Sequence, residues 1–384
     1  MRVTHIITRL IVGGAQENTI ASVLGLHGLP DVQAHLISGP TSGPEGSLEP
    51  LVASVPGLLT LVPTLVRQID PWKDLRALLH LTRLLREQRP NIVHTHSGKA
   101  GVLGRLAARL ARVPLVVHTI HGPSFGPFQG RLSNLLFTAA ERVAGRCTDH
   151  FVTVADAMRD QYLQAGIGRP GQYTRIWSGF PLEPFLTARN DMELRRRHGI
   201  APTDFVVGKV ARLFQLKGHE DLFAVAPELV RACPNIKFLL VGNGEWRERF
   251  EQLAQSLGLQ DRFVFTGLVP PENVPPLIGI MDMIVHLSRR EGLARALSQS
   301  LATGRPVVAY DSDGAREVCI DGQTGFLIQT GERNTLKQRI LDLAQQPELR
   351  NRMGTRGQEL AREWFSVSNM VTSIHSLYRQ LGVE

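Results

Sequence analysis

Between Ser288 and Ala309 the chain reads SRREGLARALSQSLATGRPVVA. The pattern predicts a strand end, a Glu291-Gly292 turn, a helix of about three turns and, after Gly304 and Pro306, the next strand. Backbone N–H groups at a helix start can hold an anion, and a glutamate at its mouth can bond hydroxyls. Glu291 and Gln299 lie eight apart, which on one continuous helix puts both nearly on the same side. The same spacing also fits a buried strand–helix unit that carries an N-terminal glutamate and no ligand.

A second constellation lies earlier. His94, His96, His118 and His121 fall in NIVHTH (91–96) and PLVVHTIH (114–121), two predicted strands and their ends. Four close imidazoles are a conceivable metal set. Side-chain alternation along strands favours ring stacking and backbone bonding instead, so no metal is expected here. Lys99 follows Ser97-Gly98, but the first glycine of a phosphate-binding loop is absent and no Ser or Thr follows, so that motif fails. A contact to acceptor or phosphate remains open for Lys99. Gly-Asn-Gly at 242–244 lacks the third glycine of a dinucleotide fingerprint, which argues against a nicotinamide enzyme.

These residues sit on an alternating framework. Apolar β-rich runs at 3–8, 34–38, 91–96, 114–120, 150–155, 205–211, 237–242, 263–267, 283–288 and 306–310 are separated by helical patterns. One helix is expected over Trp72–Glu87, started by Asp70-Pro71, with Leu75, Leu78, Leu79 and Leu85 as its apolar stripe. Continuous apolar strands with intervening helices imply parallel sheets covered on both faces. The rhythm breaks over 178–203 and restarts at Phe205. The expectation is therefore an α/β chain of two Rossmann-like domains, 1–183 and 184–364, with a ligand cleft between them. A tail at 365–384, apolar at Val367, Met370, Ile374, Tyr378 and Leu381, is expected to return as a helix to the first domain.

In this order the motifs resemble the family 4 retaining glycosyltransferases, which have the GT-B fold of two Rossmann-like domains. The segment from Ser288 is similar to their glutamate–seven residues–glutamate signature. Gly13-Gly14-Ala15 resembles their glycine-rich first loop, and Arg212 with Lys217-Gly218 resembles their arginine–lysine pair. HTHSGKAG (94–101) and VVHTIHG (116–122) are similar to segments of bacterial cell-surface polysaccharide enzymes, and residues 241–267 follow the second-domain pattern. The resemblance spans almost the whole chain. It implies that Arg212 and Lys217 bind the diphosphate of a nucleotide-sugar donor, two cations being able to neutralise that leaving group without a metal. It implies that Glu291 bonds the donor sugar, that the N–H groups of Gly292 and Leu293 cap phosphate or sugar, and that Gly14 lies in the donor-binding set. His121 matches a histidine near the transferred sugar, and His96 is assigned with Lys99 to the acceptor. Where the family usually has a second glutamate on the ribose, this chain has Gln299, whose amide accepts a bond without the charge. Asp311-Ser312-Asp313 looks like the DxD metal triplet of a different glycosyltransferase architecture; its place after PVVAY reads better as a strand-end turn.

Composition narrows the partners. The chain has 384 residues, 43% hydrophobic and 20% charged, enough apolar material for large cores. Its three cysteines form no CxxC pair, which fits a reducing cytoplasm. The net charge of +8 is uneven: 18 Lys and Arg face 11 Asp and Glu in residues 1–180, but 25 face 24 in 181–384. Arg105, Arg109 and Arg112, at i, i+4 and i+7 of VLGRLAARLARV, suggest docking on an anionic membrane; an ordinary solvated face fits equally. A nucleic acid partner lacks interleaved aromatics, which are 6% of the chain. The expected activity is metal-independent, retaining transfer of a hexose-type sugar from a nucleotide donor to a hydroxyl. The implied acceptor is a lipid-linked saccharide of the cell envelope, and the protein is expected in the cytoplasm, peripheral to the inner membrane face. A nucleotide-sugar epimerase of the same architecture and a non-catalytic sugar-nucleotide-binding subunit are the rival readings.

Overall fold

A computed structural model describes residues 1–382 apart from 42, 44, 45, 97, 127 and 128, and every count of elements or partners is over those residues. Ser97 of the Lys99 motif and the last two residues of the 365–384 tail thus lie outside the described residues. The chain forms two compact units, Met1–Phe180 with Val367–Glu384, and Pro181–Ser366.

The first unit holds seven parallel strands: β1 (Arg2–Ile7), β2 (Gln33–Ser38), β3 (Leu59–Leu61), β4 (Ile92–His96), β5 (Leu115–Ile120), β6 (His150–Thr153) and β7 (Tyr173–Arg175). Their order is β3-β2-β1-β4-β5-β6-β7, with β1 in register between β2 and β4 (Val3 against Ala34 and Ile92). The order reverses direction at β1, the topological switch of a doubly wound sheet. Four helices of this unit matter most: α1 (Gly14–His27), α2 (Pro71–Gln88), α3 (Gly98–Leu110) and α4 (Arg131–Gly145). Strands β1, β4 and β5 are buried along nearly their whole length because helices cover both faces.

On one face α1 packs beside the C-terminal helix Val367–Gln380, which buries Met370, Val371, Ile374, Leu377 and Tyr378. The approach is close: a Cβ on Gly25 would sit 2.3 Å from Val371 Cγ2. The tail therefore groups with the first unit. On the other face lie α2 and α3, whose core includes Ile6, Val93, Ala107 and Val116.

Two expectations about this face are corrected. Helix α2 starts as predicted, Asp70 capping the N–H groups of Trp72 and Lys73 at 3.1 and 3.0 Å. Its buried stripe, however, is Ala77, Leu81, Thr82 and Leu85, while Leu75 and Leu79 are exposed. Ala77, Leu81 and Leu85 form the face that packs into the core with α3, which leaves Leu75 and Leu79 in water. Likewise, Arg105 does not face solvent. Its side chain is 0% exposed, and its guanidinium meets Glu141 Oε2 at 2.6 Å and the Gly101 carbonyl at 2.7 Å. Arg109 is exposed, but Arg112 lies beyond the end of α3 at φ 58°, so the three arginines do not form one docking stripe.

The second unit holds β8 (Phe205–Val210), β9 (Ile236–Val241), β10 (Phe263–Gly267), β11 (Met283–His286), β12 (Val307–Tyr310) and β13 (Gly325–Ile328), in the parallel order β10-β9-β8-β11-β12-β13. Helix α5 (His219–Ala232) and its neighbours bury a row of stacked rings, Phe250 on Phe223, Phe223 on Phe263 and Phe263 on Phe238. The charged segment after the break is capped by Asp191 and buries Arg195, which donates to Asp282 at 3.0 Å. The edge strands β3, β7 and β13 escape periodicity, having only three or four residues each.

Candidate functional site

In the second unit the residues that leave β8 are clamped on two sides. A Cβ on Gly242 or Gly244 would lie 2.3 Å from the carbonyl of Ala211 or Leu213. The glycines of the Gly-Asn-Gly turn thus allow backbone to pass backbone beside Arg212. Leu213 N–H donates to the Asn243 carbonyl at 3.1 Å, and Trp246 N–H to the Leu213 carbonyl at 3.0 Å. On the other side, Gly218 adopts φ 67°, and a Cβ there would come within 2.1 Å of the Leu287 carbonyl. Arg289 N–H then donates to the Leu216 carbonyl at 2.8 Å. Neither clamp can accept a larger residue without moving the loop.

The clamp carries Lys217 onto Glu291 past the end of β11, where its ammonium pairs with Oε1. The Ser288 hydroxyl donates to the same oxygen at 3.2 Å, and the Glu291 N–H donates to Asp313 Oδ2 at 2.7 Å. Asp313 stands at φ 47°, a left-handed turn position that aspartate tolerates, and Asp311 is taken by Arg316. The DxD triplet is therefore a turn that braces Glu291. Burial would raise the Glu291 carboxyl, but the charge of Lys217, the field of His286 and the bonds from Lys217 and Ser288 outweigh it and hold it below its ordinary value. Glu291 is thus ionised and fixed. Arg212 is exposed, lies 5.6 Å from the Phe214 ring centroid, and makes no ion pair among the described residues.

One expectation about this segment fails. The helix α6 (Arg295–Ala302) begins four residues after Glu291, so Glu291, Gly292 and Leu293 precede it. The eight-residue spacing to Gln299 is then not a helical angle, and Gly292 and Leu293 present loop N–H groups instead of first-turn ones. Gln299 is the fifth residue of α6, and its side chain makes no hydrogen bond among the described residues.

Two features of this unit were not visible in the sequence. Asp221, 1% exposed, binds Arg289, Arg333 and the Tyr310 hydroxyl, each at 2.8 Å, and so anchors the segment before Glu291. Lys209, buried in β8, is pushed down to about 7 by burial and by the neighbouring Lys217 ammonium, partly offset by Glu291. No local motif signals Asp221, because its three partners lie 68, 89 and 112 residues further along the chain.

In the first unit the histidines form a ladder to which β1 adds His5. Rings of His5, His94 and His96 stack with centroids 4.6 to 5.1 Å apart, and His121 lies 5.4 Å from His96. His5 Nδ1 bonds His96 Nε2 at 2.9 Å, and His96 Nδ1 bonds His121 Nε2 at 3.1 Å. His94 is held by Tyr378 at 2.5 Å and Thr119 at 2.6 Å, and His118 by Thr95 at 2.8 Å. Burial pushes His5 down to about 3 and His121 to about 4; in His94 and His96 neighbouring imidazoles add to the effect, and in His118 chiefly Arg105. Ligand atoms of His5, His94 and His96 lie within 4.8 Å of one another. Both nitrogens of His94 and of His96, however, are already engaged in hydrogen bonds.

Neutral imidazoles must bond head to tail, one donor and one acceptor each. His5 Nε2 is buried without a partner. A buried N–H left unpaired is rarer than an unpaired acceptor, so Nδ1 of His5 carries the proton. His96 then donates from Nδ1, and His121 accepts at Nε2 and keeps its own proton on Nδ1. Gly14 is the first residue of α1. Lys99 pairs with Asp74 and the Gln68 carbonyl, tying α3 to α2, so its ammonium is already partnered in place of a ligand.

The chain matches family models in both units: "Glycosyl transferase 4-like domain" over residues 23–177 and "Glycosyl transferases group 1" over 190–360. A Bacillus subtilis protein, "Putative glycosyltransferase EpsD", is 30% identical over 80% of this chain and 81% of its own length. An Escherichia coli protein, "UDP-Gal:alpha-D-GlcNAc-diphosphoundecaprenol alpha-1,3-galactosyltransferase", is 29% identical over 84% of each. Anabaena HepE, solved in complex with UDP and glucose, shares the fold with a TM-score of 0.84 at 23% identity, over 99% of this chain and 100% of its own. With its two parallel α/β units and the braced Lys217–Glu291 pair, the chain belongs to the group 1 glycosyltransferases, of GT-B fold.

Proposed function

We propose that this glycosyltransferase moves a hexose-type sugar, with retention and without a metal, from a nucleoside-diphosphate donor to a hydroxyl of a lipid-linked saccharide. The supporting observation is the Lys217–Glu291 pair, with Arg212 exposed on the same segment that leaves β8 and making no ion pair among the described residues. The two cations bind the diphosphate and stabilise charge as the bond from C1 to the diphosphate oxygen breaks. The acceptor oxygen bonds C1 on the same face, and its proton passes to the departing diphosphate. Glu291 accepts bonds from donor-sugar hydroxyls, the N–H groups of Gly292 and Leu293 cap phosphate or sugar, and Gln299 accepts one ribose hydroxyl. His121 donates from Nδ1 to the sugar, and Gly14 belongs to the donor set. The names of the Escherichia coli relative and of EpsD support a lipid-linked or polysaccharide acceptor, and the complexes of HepE support a UDP donor. The proposed site of action is the inner face of the membrane; separately, no helix among the described residues is long and apolar enough to cross a membrane.

Transfer and donor-hydrolysis assays across nucleoside-diphosphate sugars test this. Lys217→Ala should lower kcat by about 100-fold or more, as loss of a preorganised charge partner does. Glu291→Ala should lower it comparably. A wild type inert with every donor that turns over after Gln299→Glu would establish the non-catalytic reading instead.

A further inference from the structure

Helix α4 exposes an apolar stripe that nothing in the first unit covers. Leu132, Leu135 and Leu136 are 80%, 64% and 59% exposed, and the stripe continues through Ala139 to Val143. Spacings of 3, 4, 7 and 11 put these residues within about 100° of one another around the helix. Arg131, Arg142 and Arg146, all exposed, border one side. The exposed residues of α4 include no carboxylate, because its single glutamate, Glu141, is buried on Arg105.

A second stripe of the same kind lies on α2. Trp72 is 77% exposed, Leu75 and Leu79 follow at i+3 and i+7, and Arg76 is beside them. Helix α3 packs against both α2 and α4. The strands they join, β3, β4, β5 and β6, advance across the sheet in one direction, so right-handed crossovers place all three helices on one face. Both stripes start where helices follow strands, the sheet edge that carries His96 and His121.

We infer that this α2–α4 face docks on an anionic lipid bilayer, the leucines and Trp72 entering the headgroup boundary and the arginines meeting lipid phosphates. Charge selects this occupant over a second copy of the chain. A symmetric pairing of α4 would oppose Arg131, Arg142 and Arg146 on both sides, and α4 exposes no carboxylate between them. The inference deepens the lipid-linked acceptor reading and rests on it for its purpose, but not for its physical basis.

The test is co-sedimentation of the full chain with vesicles of phosphatidylcholine alone or with phosphatidylglycerol. Wild type should bind the anionic vesicles at low salt and lose most binding in 0.5 M salt, where the Debye length falls to about 4 Å from about 10 Å at 0.1 M. The triple variant Leu132→Ser/Leu135→Ser/Leu136→Ser and the double variant Arg131→Gln/Arg146→Gln should each bind at least about tenfold more weakly, the latter at about 5-fold per charge. Both should keep the wild-type melting temperature, since the replaced side chains are exposed. Both should also keep turnover on a short, water-soluble acceptor while losing it on a lipid-linked acceptor in vesicles. Undiminished vesicle binding by the leucine variant overturns the inference. So does a wild-type dimer in solution that becomes monomeric in that variant. Vesicle binding that obeys these rules in a protein inert with every donor leaves the docking face intact and removes the glycosyl-transfer reading.

Discussion

The histidine ladder makes the first unit acid-labile in a pH window that carboxylates do not reach. His5, His94, His96 and His118 are at most 2% exposed, and burial lowers each below its ordinary value of 6.5, His5 to about 3. A depressed folded pKa means that the unfolded chain binds the proton first. The stabilisation is complete above pH 6.5 and is lost as pH falls, for His5 down to about pH 3. Between pH 7 and 5 a group held as low as His5 (about 3) or His121 (about 4) costs about 2 kcal/mol, and His94, His96 and His118 add in the same sense. In the second unit His219 and His286 have the same sense of shift, giving about 4 kcal/mol over the same interval. The first unit should therefore unfold at the higher pH.

Tryptophans separate the two signals, because Trp72 and Trp177 lie in the first unit and Trp246 and Trp364 in the second. Urea titrations of a Trp246→Phe/Trp364→Phe variant, followed by fluorescence from pH 7 to 5, measure the first unit alone. The expected slope exceeds the two protons of His5 and His121 alone, and His5→Asn should reduce it by about one proton, or about 1.4 kcal/mol per pH unit. A fall of less than about 2 kcal/mol over the window would refute the neutral ladder.

Three further outcomes follow from particular contacts. Arg105→Met should destabilise the first unit by about 3–5 kcal/mol in chemical denaturation by leaving Glu141 buried and unpaired, and adding Glu141→Leu should restore most of the loss; equal effects of single and double variants would contradict the pairing. Nitrogen-15 NMR of His121 at pH 7 should show the Nδ1–H tautomer, and His5→Phe should release that preference by removing the donor that starts the chain; an Nε2–H tautomer in wild type would reverse the bond direction. Gly218→Ala should cost about 1–3 kcal/mol from its left-handed backbone, and more from contact with the Leu287 carbonyl, while weakening nucleoside-diphosphate binding in calorimetry through displacement of Lys217; unchanged affinity would detach Lys217 from the donor.

The framework was legible wherever a strand is long enough to be a continuous apolar run. All ten runs read from the sequence overlap strands, and the three missed are short edge strands whose few residues carry no period. The site was legible as residue types but less so as geometry. An eight-residue spacing puts Glu291 and Gln299 on one side only if a helix spans both, whereas the chain stays irregular until Arg295 and Glu291 is braced by Asp313 from a neighbouring strand end. The bond that sets the geometry spans 22 residues and leaves no local trace.

The basic half of the chain shows the same limit most sharply. Helical spacing states which residues share a face, but not whether that face turns to the core or to water. Arg105 and Arg109 share a turn of α3, yet one is sealed on Glu141, 36 residues away, and the other is exposed. Conversely, Leu132, Leu135 and Leu136 have the spacing of a core stripe and stand in water, because the α4 positions that pack inward are the small Ala144 and Gly145 and the paired Glu141. A buried charge and an exposed leucine are here two sides of one choice. Glu141 enters the interior to neutralise Arg105, and the helix that carries it turns its leucines outward. The excess of arginine in the first half is thus a poor guide to the surface by itself, and becomes one only once each guanidinium is sorted by its partner.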